Sequence, residues 1–472
     1  MAANTFTEFY CQTTGSNLNA GSTTSDAAVY TSTNGNWDGT SIFTPTDGST
    51  PASSVSVGDW ISVFLDAATV AVYIARVTAV AAGVNGAITL STTAKSGTAP
   101  ASGATGRTVK AGGAWKGPNA ADGFPFTVVQ STMTNTAGNC ARINIKGGTT
   151  YSITAAITQS NNGPMIFSGY TTTPGDMGRW TLDGGTSGAS YVLLTQSGTD
   201  ITFTDAILQN NGATGVAQGF ATSGGRVHYS RVTVQNVRGS GFILTGDAQV
   251  YRECYATGCN QSNGSNGAGF FINGAAQYQF IRCVSRANAG SNSCGWNTAT
   301  GNQRNGTWWY CISAGNGNCG LKVDSGQNFI CIIKNCDFYG NTGSGVVQDS
   351  GTGPNRIWVE NSNFVSNGAY GIEKTDAAST TLTLVNCGFF GNTSGEVDAD
   401  FDGCTIDMGR VSYASTPYQD PSSGNFRIIL STAKNAGRAA YGDYTLSTSY
   451  EDIGAVGGFG KNKLIDTGYI CI

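Results

Sequence analysis

IWVENSNFVSNGAYGIEKTD, residues 357–376, is the stretch that decides the fold. It reads as a strand at 357–360, a tight turn at Asn361 and Ser362, a strand at 363–366, a turn at 367–370 and a strand at 371–374, then a loop. Short apolar alternations broken by Asn, Ser and Gly are the pattern of half-buried strands. The flanking stretches IIKNCDFYGNTGSGVVQD (332–349) and LTLVNCGFFGNTSGEVDAD (382–400) repeat it element for element. Working outward, a glycine followed by an apolar residue recurs at Gly219, Gly241, Gly269, Gly295, Gly320, Gly345 and Gly371, and more weakly as Glu396/Val397, at intervals of 22, 28, 26, 25, 25, 26 and 25 residues. A second column holds Asp205, Ser230, Cys254, Cys283, Cys311, Cys336, Ser362 and Cys387, and a third Asn236, Asn316, Asn341, Asn367 and Asn392. A fixed period of this length marks a solenoid, and three short strands per turn make it a parallel β-helix. Asn335, Asn361 and Asn386 fall at the tight turn, where Asn tolerates left-handed backbone and is expected to hydrogen-bond its counterpart on the next coil.

Composition narrows the partners. Only 11% of the 472 residues are charged, the net charge is −4, and no run of Lys or Arg occurs, so nucleic acid is an unexpected partner. No apolar run is long enough for a membrane span. The first residues, MAANTFTEFYCQ, lack the basic start and apolar core of a secretory signal, giving the expectation of synthesis in the cytoplasm without export by that route. The 13 cysteines belong mostly to the repeat and are read as small, buried, reduced packing residues, because parallel side-chain vectors make poor bridges.

Outside the repeat, 55–91 alternates as three or four antiparallel strands between Ser/Thr/Gly-rich flanks at 13–33 and 96–106. The expected organisation is an N-terminal β-domain with extended arms at 1–110, serving attachment, a parallel β-helix at 111–410, and a C-terminal cap at 411–472 whose apolar end LIDTGYICI closes the last coil.

The NC-x-F-x-x-N…G coil resembles the right-handed parallel β-helix, pectate-lyase-like superfamily of carbohydrate-binding proteins, sugar lyases and hydrolases. The stretches INIKGGTTYSI…FSGYTTTPGDMGRWTLDGG before the repeat, and DPSSGNFRI (420–428) with DIGA (452–455) after it, resemble uncharacterised phage and bacterial members of that group. The resemblance covers roughly residues 140–457. It implies an all-β, right-handed, single-stranded parallel β-helix, and by analogy with spikes a homotrimer.

Chemistry is sparse. The one histidine, His228, excludes a multi-histidine metal site and reads as an ordinary coil residue. Acid/base work on sugars needs paired carboxylates on one exposed face. Asp324 and Asp349 each follow a refrain glycine by four residues, so they are expected to stack on adjacent coils about 5 Å apart, as a retaining-glycosidase pair or around a shared cation; the plainer reading is a pair of Asx turns. Glu360 and Glu373 are expected to be solvated. In EVDADFDG (396–403), Asp398, Asp400 and Asp402 match the first half of a calcium loop, although Gly409 stands where its last acid belongs. Calcium is the one cofactor this suggests; alternation, with Val397, Ala399 and Phe401 inward, is the other account. Trp308 and Tyr310, with Trp296 one coil earlier, form a possible sugar-stacking platform if Trp309 turns to the core.

These readings give the expectation of a bacteriophage virion surface protein (capsid decoration, head fibre or spike), structural and adhesive to host glycans, non-catalytic, and bound to other virion proteins through its N-terminal region. The alternative is a tailspike-type polysaccharide hydrolase or lyase using Asp324 and Asp349.

Overall fold

The computed structural model describes residues 6–12, 28–64, 72–92, 99–111, 140–159, 164–262, 267–274, 277–299, 305–324, 329–349, 355–375, 380–401 and 405–433. Almost all of the regular structure is β, and it forms a parallel β-solenoid of about nine turns with a small antiparallel sheet and C-terminal strands. By contacts the chain divides into two compact units, Met1–Gly185 with Val192–Gln209, and Thr186–Tyr191 with Asn210–Ile472.

The first unit holds a seven-stranded antiparallel sheet. Trp60–Phe64, Val72–Val80 and Ile88–Leu90 are the strands expected from the alternation at 55–91. The sheet also takes in Tyr30–Ser32, Gly35–Trp37, Ile42–Pro45 and Val109–Ala111. Trp37, Phe43, Ile61, Val63, Tyr73 and Ile88 fill its core. Phe6–Cys11, at the start of the expected N-terminal domain, is instead a strand of the solenoid: it pairs parallel with Cys140–Lys146, which pairs with Met165–Tyr170.

The second unit contains the regular coils. Asn355–Glu360, Asn363–Val365 and Tyr370–Lys374 are the three strands of the coil read from 357–376. Tyr370–Lys374 stacks between Val346–Gln348 and Gly395–Val397, with every pairing parallel. The refrain glycines answer to a steric demand. A Cβ at Gly320 would lie 2.4 Å from the carbonyl oxygen of Gly345, and one at Gly345 2.6 Å from that of Gly371.

Inside the coils the columns become stacks. Rings pile face to face as Phe242–Phe270–Trp296, Tyr251–Phe280–Trp308 and Phe338–Phe364–Phe389. Asparagine amides form a buried ladder in which Nδ2 of Asn288, Asn316, Asn341 and Asn367 donates to Oδ1 of the next member, at 2.7, 2.9, 3.0 and 2.9 Å, ending on Asn392. This side-chain ladder runs through the third column. At the tight turn, Asn335, Asn361 and Asn386 hold left-handed backbone, at φ 52°, 49° and 49°. Two corrections to the columns follow from register. Asn288 belongs to the ladder, whereas Asn236 is exposed with φ 53°. Ser230 pairs with Arg252, and Thr233 with Tyr255, so Val232 is the partner of Cys254.

The column cysteines 254, 283, 311, 336 and 387 are free and buried. Burial pushes the thiols of Cys254 and Cys311 well above the usual cysteine range and that of Cys387 up to about 12, which leaves them inert. Not every cysteine is reduced, however: Cys294 and Cys319 form a disulfide between adjacent coils. They directly precede Gly295 and Gly320, and their Cα atoms are 4.6 Å apart, within bridging range.

The described part of the C-terminal segment, Tyr418–Asp420 and Asn425–Ile428, is an antiparallel hairpin lying on the flank of the coils. Tyr413, Tyr418, Phe426 and Ile428 pack with Ile312, Val365, Tyr339 and Phe390. Tyr418 Oη donates to buried Asp337 Oδ1 at 2.6 Å. The stretch LIDTGYICI lies outside the described residues.

Candidate functional site

The expected aromatic platform is rearranged. Trp296 and Trp308 are fully buried in the ring stacks, and Trp309 faces outward with 37% of its surface exposed. Alternation along this strand takes its phase from the left-handed turn that ends it. Tyr310 occupies the left-handed turn position (φ 56°) directly before Cys311, as Asn361 does before Ser362. The residue two before that turn points inward, as Val359 does, and the residue immediately before it points outward, as Glu360 does. The equivalence of Tyr310 and Asn361 in the repeat is the sequence signal that places Trp308 inside and Trp309 outside.

The outward face of this sheet carries a second tryptophan, Trp358, 38% exposed. Trp309 pairs with Lys334, and Lys334 with Glu360, two residues beyond Trp358. Two inter-strand steps and two residues along the strand put the tryptophan Cα atoms about 12 Å apart. Between them Lys334 Nζ binds Glu360 Oε2 at 3.0 Å, and Trp358 Nε1 donates to the same oxygen at 3.4 Å. Glu360 was expected to be solvated, yet only 7% of it is exposed. Ile330 and Arg356 extend the face, both exposed. The arrangement offers two flat rings, two cations and a fixed carboxylate on a rigid sheet.

Asp324 and Asp349 come together on the neighbouring sheet, through a residue the sequence reading passed over. Lys322 Nζ lies 3.6 Å from Asp324 Oδ2 and also binds Asp349 Oδ2. Thr375 Oγ1 donates to Asp349 Oδ1 at 2.8 Å, and Asp324 N donates to Thr298 Oγ1 at 2.9 Å. Burial pulls the Asp349 carboxyl up, but the Lys322 ammonium and the Thr375 hydroxyl outweigh it and hold it below the usual aspartate value. The cluster ties four successive coils by ionic and polar contacts. Glu373 bonds Ser344 Oγ and is not simply solvated.

Asp398 Oδ1 accepts from Asp400 N at 3.2 Å and its Oδ2 from Lys374 N at 3.4 Å, so its carboxylate caps backbone donors. The Lys374 ammonium, almost buried, donates to Asp400 O at 3.1 Å. Asp402 lies outside the described residues, among which no group of three His, Cys, Asp or Glu is placed to hold a metal. His228 is half-buried; burial lowers its pKa, and Arg252 and Arg231 lower it further, so it stays neutral near pH 7.

No protein-family model matches the chain, and no curated protein does. Among solved structures, pectate lyase Pel9A is 18% identical over 68% of this chain and 88% of its own, with a TM-score of 0.48. ORF18 of Geobacillus virus E2 is 15% identical over 62% of this chain and 57% of its own, at 0.46. The A-module of the Azotobacter vinelandii mannuronan C-5 epimerase AlgE4 is 14% identical over 60% and 91%, at 0.37. The chain is a right-handed parallel β-helix. That describes its fold, and one fold of this kind hosts many functions.

Proposed function

We propose that the chain is a non-catalytic, glycan-adhesive β-helix carried on the surface of a bacteriophage virion as a decoration, head fibre or spike. The observation that carries the adhesive reading is the outward pair Trp309 and Trp358 flanking the Lys334–Glu360 ion pair. Flat rings pack on the apolar faces of pyranoses, and the charged groups between them direct hydrogen bonds to hydroxyls. The clamped Asp349 supports the non-catalytic reading, since a general acid needs a carboxyl raised toward the working pH and this one is lowered. The virion reading is supported by the resemblance of the stretches that precede and follow the repeat to phage and bacterial β-helix proteins.

The test is binding of the purified protein to an array of bacterial capsule and O-antigen polysaccharides. A Trp309→Ala/Trp358→Ala variant is expected to bind about tenfold more weakly with an unchanged melting temperature; unchanged binding would overturn the adhesive reading. Trp308→Ala is the contrast and should destabilise by about 3–5 kcal/mol. Immunogold electron microscopy of purified particles tests the location, and unlabelled virions would sink it.

One observation favours a tailspike-type hydrolase or lyase, namely the gathering of Lys322, Asp324 and Asp349. Capsule clearing by the protein, abolished in Asp324→Asn/Asp349→Asn, would establish that reading instead.

A further inference from the structure

A cavity of about 420 Å³ opens at a corner of the early coils, lined by Thr186, Asn210, Gly212, Ala213, Asn236, Arg238 and Gln261. Its volume lies in the range of small-molecule sites. Three features set it apart from a gap in the repeat.

The first is Arg238. Among the described residues, its buried Nε has no hydrogen-bond partner and no carboxylate lines the cavity. The backbone beneath is fixed from both sides: Arg238 N donates to Asn211 Oδ1 at 2.8 Å, and Ser262 Oγ donates to Arg238 O at 2.6 Å. A buried guanidinium nitrogen without an acceptor is costly, and a planar fork is suited to an oxyanion.

The second is a break in the column. Asn210 and Asn236 hold the left-handed position that later coils fill with Gly258, Ala287, Gly315, Gly340, Ser366 and Gly391. Two amide side chains therefore stand where the rest of the solenoid keeps small residues. They join Gln261 and Thr186 as donors and acceptors for hydroxyl groups.

The third is the wall opposite. A Cβ at Gly212 (φ 104°) would lie 2.7 Å from Ser190 Cα, so the backbone is drawn in tightly there. Ser190 N donates to Thr214 O at 2.7 Å, and Ala213 N to Gly188 O at 3.0 Å, which tethers the wall to its neighbour.

We propose that this cavity binds an oxyanion carried on a hydroxylated ring, a sugar carboxylate or a sugar phosphate, with Arg238 gripping the anion and Asn210, Asn236 and Gln261 the hydroxyls. The site is separate from the Trp309–Trp358 face, so either can fail without the other. Isothermal titration of the full chain with glucuronate, glucose 6-phosphate, glucose and inorganic phosphate tests it. Saturable binding of glucuronate or of glucose 6-phosphate is expected, and which of them binds tells carboxylate from phosphate. Arg238→Gln should weaken it about tenfold or more, Arg238→Lys less, and Asn236→Gly, which keeps the left-handed backbone at φ 53°, severalfold with an unchanged melting temperature. Equal binding of glucose, equal binding of inorganic phosphate, no saturable binding of either acidic sugar, or Arg238→Gln binding as wild type while folded would each overturn the proposal.

Discussion

Asn341 shows how a single residue holds the solenoid. Its Nδ2 donates to Asn367 Oδ1 at 3.0 Å and to Ser313 O at 3.3 Å, while its Oδ1 accepts from Asn316 Nδ2 at 2.9 Å and Asn316 N at 3.2 Å. Removing the amide strands buried partners on two coils, so Asn341→Ala should lose about 3 kcal/mol in urea denaturation, against about 0.5 kcal/mol or less for exposed Thr342→Ala. Asp349 is a surface counterpart with a pH signature. Its folded pKa is lowered, so its contribution is fully present above the ordinary aspartate value of about 3.9 and is lost as pH falls through the folded value. Thermal melts should show Asp349→Asn less stable than the wild type at pH 7, with the gap closing at pH values below that range. The sequence marked Asp324 and Asp349 as neighbours because equal offsets from a repeated glycine give equal places on successive coils. Lys322 escaped notice because its ammonium reaches the next coil, and offsets within one coil do not describe where a long side chain ends.

At the scale of the element, the coil was legible and its fastenings were not. Period-two alternation, left-handed Asn turns and a crowded glycine are local demands, so they appear in the residues themselves. The Cys294–Cys319 bridge depends instead on how two stacked strands place their Cα atoms. Non-reducing peptide mapping should recover these two cysteines linked and Cys254, Cys283, Cys311, Cys336 and Cys387 as thiols. Closing a loop of this length stabilises by about 3 kcal/mol in the chain-entropy model, and the Cys294→Ala/Cys319→Ala protein should lose about that much in calorimetry. The C-terminal hairpin was likewise unreadable. Its place is set by an outward strip of Ile312, Tyr339, Val365 and Phe390, contributed by four separate coils.

For the whole molecule, the sequence by itself determined an all-β solenoid, its period, its strands and a distinct N-terminal sheet. Each of these follows from short-range sterics and alternation, repeated often enough to leave one solution. Only the tertiary structure decided that Phe6–Cys11 joins the coils, that Trp309 and Trp358 form the outward face while Trp296 and Trp308 fill the core, and that Arg238 lines a cavity with no carboxylate among the described residues. Those outcomes depend on register between strands far apart in the chain. A one-residue difference in register exchanges inside for outside, and composition carries no record of it.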